Sequence, residues 1–184
     1  MNLRHANAQR RDQIAADRLR FTNLRGAGTL TTSDVDATGG PFATTLRGTL
    51  DDVVWPTGTT ALPALTSLSG GIATQTRNWL AERTRTQPYM CIGGSFDEVA
   101  QIALPKQMRV AGMPDDLELT SGFFRYRSRY LLDPSTNVIQ IERTLEAHFG
   151  KQVCSPEDFR ASLPALRRIE RDTQQQIIVR VLGR

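Results

Sequence analysis

The chain has 184 residues, 39% of them apolar, with 23 Lys and Arg against 19 Asp and Glu and a net charge of +4. That length suits a single domain or two small lobes and can bury a core without staples. It contains neither an apolar run long enough for a membrane-spanning helix nor, in residues 1–25, the apolar centre of a secretory signal. The positive excess is local. Residues 1–25 hold six arginines against Asp12 and Asp17, and residues 26–184 balance at 17 basic and 17 acidic. A phosphate-gripping domain carries its charge on a face of the fold, so a nucleic-acid partner is not expected.

Residues 5–20 are rich in helix formers around a thin stripe at Ile14 and Ala15. They predict a loosely held N-terminal arm or helix over 1–16, leading into one β-sandwich-like domain over 17–184. A strand is expected around Arg18–Leu24, where Leu19 and Phe21 alternate with arginines and Thr22, and a turn at Gly26-Ala27-Gly28. A Thr-rich strand over Thr29–Val35 ends at Gly39-Gly40-Pro41. Residues 50–71 show no clear period and suit either short strands or a long surface excursion. Ile72–Arg85 suits a short helix, which Pro88 prevents from continuing.

Beyond residue 88 the pattern is sharper. Val99–Leu104 alternates, with Ala100, Ile102 and Leu104 on one face, and Met108–Ala111 is a second short strand. Phe124, Tyr126, Ser128 and Tyr130 share one face of a long strand, and Arg125, Arg127 and Arg129 the other. The turn residues Asp133–Asn137 join it to Val138–Ala147, where Ile139, Ile141, Leu145 and Ala147 share a face, so a long hairpin is predicted. Ser155-Pro156-Glu157-Asp158 opens a helix with apolar positions Phe159, Leu163, Leu166 and Ile169 and a kink expected at Pro164. Gln175–Leu182 closes the chain as an apolar strand. The fold class is therefore mainly β and antiparallel, sandwich-like, with one amphipathic helix near the C-terminus and an N-terminal helix as a further element.

Few residues suggest chemistry. Arg125, Arg127 and Arg129 form a row suited to phosphate or single-stranded nucleic acid, which with the Arg-rich N-terminus makes nucleic-acid binding an alternative function, and they are also the exposed candidates for a polypeptide or surface ligand. Their aromatic neighbours point the other way, however, and Glu142 or Glu146 can pair with them across the hairpin. Cys91 and Cys154 are compatible with a disulfide, two free thiols or one reactive thiol. Cys154 precedes a helix start, which lowers a thiol pKa, and His148 six residues upstream makes a Cys–His nucleophile and base the sharpest catalytic alternative. No third, orienting residue is marked. His5 and His148 lie far from both cysteines, which gives no zinc spacing, and the Asp51-Asp52 and Asp115-Asp116 pairs lack the alternate ligands of a calcium loop. Gly93-Gly94-Ser95 lacks the Lys and Ser/Thr of a phosphate loop. Neither a metal nor a cofactor is expected.

Four segments in order carry a resemblance: Arg85-Thr-Gln-Pro88; Ile102-Ala-Leu-Pro105 with Arg109-Val110 and Met113-Pro114; Gly122–Tyr130 with Ile141-Glu-Arg143; and Val153–Phe159 with Arg171-Asp172. Together they resemble the C-terminal β-domain of bacterial multidomain transglutaminase-like proteins, well over residues 85–182 and loosely over 17–84. The resemblance implies a non-catalytic accessory domain, whose partners would be neighbouring domains of a parent protein, or a polypeptide or surface ligand. In that family the catalytic Cys, His and Asp lie in a separate papain-like core that this chain does not match, so no catalytic residue carries over. The compartment stays open, because a parent protein could be exported.

Overall fold

The computed structural model describes residues 6–21, 23–34, 40–53, 57–67 and 70–182. The expected strand end at Val35 and the break at Gly39 lie outside them. The protein is mainly β, with several antiparallel sheets, an N-terminal helix and a C-terminal helix. It divides into two compact units, Met1–Trp55 and Pro56–Arg184.

In the first unit, helix α1 (Ala8–Phe21) packs on a hairpin of β1 (Arg25–Thr32) and β2 (Thr44–Asp51). Asn7 caps the helix, its Oδ1 accepting from the Arg10 N–H at 2.8 Å. Ile14 and Ala15 bury against Leu30, and Leu46 packs on them. Leu19, one turn beyond Ala15, is also buried. This i, i+4 step overrides the alternation that suggested a strand over Arg18–Leu24, and the segment is helical through Phe21. The helix stops in a Schellman motif. The Leu24 N–H bonds the Leu19 carbonyl and the Asn23 N–H bonds that of Arg20, with Asn23 at φ 59° in place of the usual glycine. Gly26-Ala27-Gly28 is not a turn but part of β1. Gly28 faces Gly48 across the ladder, and a Cβ on it would stand 2.5 Å from the Arg47 carbonyl oxygen. These glycines let two strands close up rather than turn a chain.

The second unit contains β3 (Thr59–Pro63), α2 (Gly71–Leu80), β4 (Tyr89–Met90), β5 (Gly94–Ala103), β6 (Met108–Gly112), β7 (Leu117–Ser121), β8 (Phe124–Asp133), β9 (Val138–Ala147), β10 (Val153–Cys154), α3 (Pro156–Thr173) and β11 (Gln176–Val181). They form a four-stranded sheet ordered β5-β9-β8-β7, a three-stranded sheet β3-β11-β6 and a two-residue ladder of β10 with β4. The predicted hairpin is β8–β9, with Phe124 opposite Ala147 and Asp133 opposite Val138. Its inner face, Phe124, Tyr126, Leu145 and Ala147, buries against Ile72 of α2 and Ala165, Leu166 and Ile169 of α3. On α3 the buried stripe takes Ser162 rather than Leu163, the Ser162 hydroxyl donating to the Asp158 carbonyl at 2.7 Å, and extends one turn further to Asp172.

The start of α3 follows its sequence closely. The Ser155 hydroxyl accepts from the Asp158 N–H, and the Asp158 carboxylate accepts from the Ser155 N–H at 2.6 Å, a reciprocal capping box. Ser155→Ala is expected to lower stability by about 1 kcal/mol, read as a shift in the urea midpoint with an unchanged slope.

Candidate functional site

The inner face of the four-stranded sheet carries charge where an apolar row is expected. Arg143 sits at the inward register between Ile141 and Leu145, and its cross-strand neighbours are Glu98 on β5 and Ser128 on β8. Asp172, at the end of the buried stripe of α3, meets it there. The Arg143 and Asp172 side chains are only 1% and 5% exposed, with Nε 3.4 Å from Oδ2. The Arg143 Nη1 donates to the Leu65 carbonyl at 2.7 Å, and Nη2 to the Ala64 carbonyl at 3.3 Å and the Tyr130 hydroxyl at 3.1 Å. Asp172 also accepts from the Tyr126 hydroxyl at 2.5 Å, Ser128 Oγ at 3.0 Å and the Tyr130 hydroxyl at 3.2 Å.

Burial, and after it the Asp172 charge, pushes the Tyr126 hydroxyl far above the usual phenol range. Burial likewise raises Tyr130, against the pull of Arg143. Both phenols therefore stay protonated as donors to Asp172. A cation and an anion so enclosed, with several further hydrogen bonds between them, form a cross-tie. It joins β8, β9, α3 and the 64–65 segment. The sequence signal was present, in that an Arg and an Asp each occupy a position in an otherwise apolar period. Their residues also recur in the quoted motifs Gly122–Tyr130, Ile141–Arg143 and Arg171-Asp172.

Glu98 is a second inward acid that the period contains. Its Oε1 accepts the Ile72 N–H at 2.6 Å, so β5 supplies the cap that the N-terminus of α2 lacks in its own sequence. Gly71 makes room for it. At φ +78°, a Cβ there would lie 2.1 Å from Glu98 Oε1. Glu98 Oε2 is buried with no partner among the described residues. Burial raises the Glu98 carboxyl above the ordinary 4.5, against the Ile72 N–H, Arg143 and the Ser67 N–H. A carboxyl raised in the folded state contributes stability below 4.5 that is lost as pH climbs through the raised value. Glu98→Gln is expected to remove that falling slope, so urea midpoints of the two proteins should diverge from pH 4.5 toward neutrality.

The candidates expected from the sequence are placed as follows. Arg125, Arg127 and Arg129 are exposed on the outer face of the same sheet. Arg125 stands opposite Glu146, with Nη1 3.7 Å from its carboxylate, and Arg129 stands opposite Glu142. Glu118 of β7 is opposite Arg127. The row is thus interleaved with acids across the strands. Cys91 and Cys154 form a disulfide, with Cα atoms 5.4 Å apart, that clips β4 to the start of α3. His148 is exposed just past the end of β9. Among the described residues no three of His, Cys, Asp and Glu are grouped as a metal site, and no helix is long and apolar enough to cross a membrane.

The class that these features define is a mainly β, antiparallel fold with helices against one sheet face. No protein-family model matches the chain, and no curated protein does. A solved structure from Parabacteroides distasonis ATCC 8503, described as a putative protease, resembles it with a TM-score of 0.53 at 13% identity. The match covers 67% of this chain and 24% of that one, so the chain corresponds to about a quarter of that protein's length. At this identity the likeness is one of fold.

Proposed function

We propose that the chain is a non-catalytic interaction module of a larger transglutaminase-like protein, packing on a neighbouring domain or holding a polypeptide segment. The observation that carries this reading is where the reactive groups are spent. Cys154 is bonded to Cys91, and Arg143 and Asp172 enclose one another away from solvent. What the second unit offers outward is the polar sheet face bearing Arg125, Arg127 and Arg129, along a ten-residue strand. Alternating charges on this sheet face suit a protein surface of matching alternation better than a polyanion, which Glu118, Glu142 and Glu146 would repel. Two further points support the reading. The four motifs of the resemblance occur in order, and a protein described as a putative protease contains a similar fold in about a quarter of its length.

The test is the parent reading frame together with reconstitution. The frame is expected to encode a transglutaminase-like core beside this region, and the separately produced core should elute with this chain as one complex. Arg125→Glu combined with Arg129→Glu should weaken that complex at least about tenfold, since like charges then oppose across the contact. A stand-alone gene, or a complex indifferent to both substitutions, would count against the proposal.

A further inference from the structure

The second unit contains a cavity of about 380 Å³ walled by Trp79, Tyr89, Phe124, Phe149 and Phe159. Arg85 is the one charged side chain among the described residues that line it, and no carboxylate does. Its guanidinium carbon stands 4.2 Å from the centre of the Tyr89 ring and 5.4 Å from that of Phe159, a stacked position that fixes its direction. The side chain is 19% exposed, and its Nε lies 3.3 Å from the exposed Glu82 carboxylate. Its two terminal NH₂ groups donate to no described residue. The Trp79 indole N–H in the same wall is buried without an acceptor among the described residues. Met90 and Ile92 also line the cavity and are 74% and 59% exposed, so an apolar lip leads from solvent to the aromatic wall.

An aromatic chamber with no acid in its walls and a fixed guanidinium, whose terminal NH₂ groups have no partner among the described residues, is complementary to an apolar group that carries a carboxylate. We propose that this cavity holds the C-terminal residue of a polypeptide, its apolar side chain against the aromatic wall and its α-carboxylate on the Arg85 guanidinium. A chain terminus places both groups on one residue. An internal Asp or Glu would bring two flanking peptide units as well, and the polar side chains available to them are few: Gln75, Asn78, the Trp79 indole N–H, the Tyr89 hydroxyl and Ser162, whose hydroxyl proton is already given to the Asp158 carbonyl. The planar fork meets a carboxylate through paired hydrogen bonds, and the residues before the terminus run out over Met90 and Ile92. This deepens the polypeptide-holding mode proposed above and rests on it.

The test uses the full chain with Trp55→Phe, so that Trp79 alone reports by fluorescence. The probes are Ser-Gly-Ser-Gly-Phe with a free carboxylate, the same peptide as its C-terminal amide, and the free acid ending in Ala. The free Phe acid is expected to bind about 10–100-fold more tightly than the amide, the usual worth of a charged hydrogen-bonded pair. It should also bind at least about tenfold more tightly than the Ala acid. Arg85→Gln should remove the preference for the acid and leave the amide unaffected, with the urea midpoint confirming the fold. Equal binding of acid and amide by the unsubstituted Arg85 protein, or no binding of the acid, overturns the proposal without reference to any variant. If the complex with the neighbouring core persists while the acid fails, the cavity proposal is wrong and the module reading stands. Loss of both fails the module reading too.

Discussion

Asp172→Ala is expected to destabilise the second unit by about 3–5 kcal/mol, the cost of stranding one member of a buried ion pair. The substitution leaves the Arg143 guanidinium enclosed with hydrogen bonds only to the Ala64 and Leu65 carbonyls and the Tyr130 hydroxyl, and with Glu98 beside it on β5 as the remaining acid. It also strips the acceptor from Tyr126 and Ser128, each buried, and an unsatisfied buried donor costs about 1–3 kcal/mol in its own right. Against a total stability of about 5–15 kcal/mol for a domain, the variant should be at the edge of folding. Removing both charges distinguishes a cross-tie from a simple attraction. Arg143→Met with Asp172→Leu should recover part of the loss, because replacing a whole buried pair with apolar side chains is often close to neutral. Urea unfolding of Arg143→Met, Asp172→Leu and the double variant gives the coupling energy. Near-additive losses would show that the cluster is not one unit.

The second large effect is that of the disulfide. Cys91 and Cys154 are 63 residues apart in the chain. Closing a loop of that size restricts the unfolded chain enough to contribute about 4 kcal/mol on the chain-entropy account. Cys91→Ala with Cys154→Ala, or reduction of the native pair, should therefore lower stability by about 2–5 kcal/mol. The loss should appear at the β4–β10 ladder first, since two-residue strands contribute little pairing of their own. Native-state hydrogen exchange at the Cys91 N–H, bonded to the Gln152 carbonyl at 2.9 Å, is a direct local readout.

How much of this was legible in the sequence follows from the kind of signal each part carries. Strands with one wet and one dry face read well. The Phe124–Tyr130 alternation placed both faces of β8 correctly, and Ser155-Pro156 marked the start of α3. The acids flanking the arginine row were also visible as cross-strand partners, and Glu146 does pair with Arg125. Short or half-covered strands did not read. β3 lies in the stretch that showed no clear period, and β7 and β2 were not anticipated. Each is a five- to eight-residue strand with Thr, Gly or Glu among its residues and at most one fully buried side chain, Leu62 in β3, so the apolar period is too weak to detect.

The candidate site was hidden for a different reason. Arg143, Asp172 and Glu98 each look like a solvated charge when taken singly, as such residues usually are. Their meaning comes from pairing across elements far apart in the chain, 29 residues for Arg143 with Asp172 and 26 for Glu98 with Ile72. A pattern confined to one element cannot show that. Arg85 and the aromatic residues around it are similarly scattered from α2 to α3, and only the fold gathers them.

The most direct test of the central claim, that the cysteines clip the fold and serve no chemistry, is alkylation of the folded, unreduced protein at neutral pH. Incubation with iodoacetamide followed by intact-mass measurement should show no added mass, with both sulfurs in the Cys91–Cys154 bond. Rapid and selective modification of Cys154, with a depressed thiol pKa, would contradict the account and restore a Cys154–His148 thiol enzyme in its place.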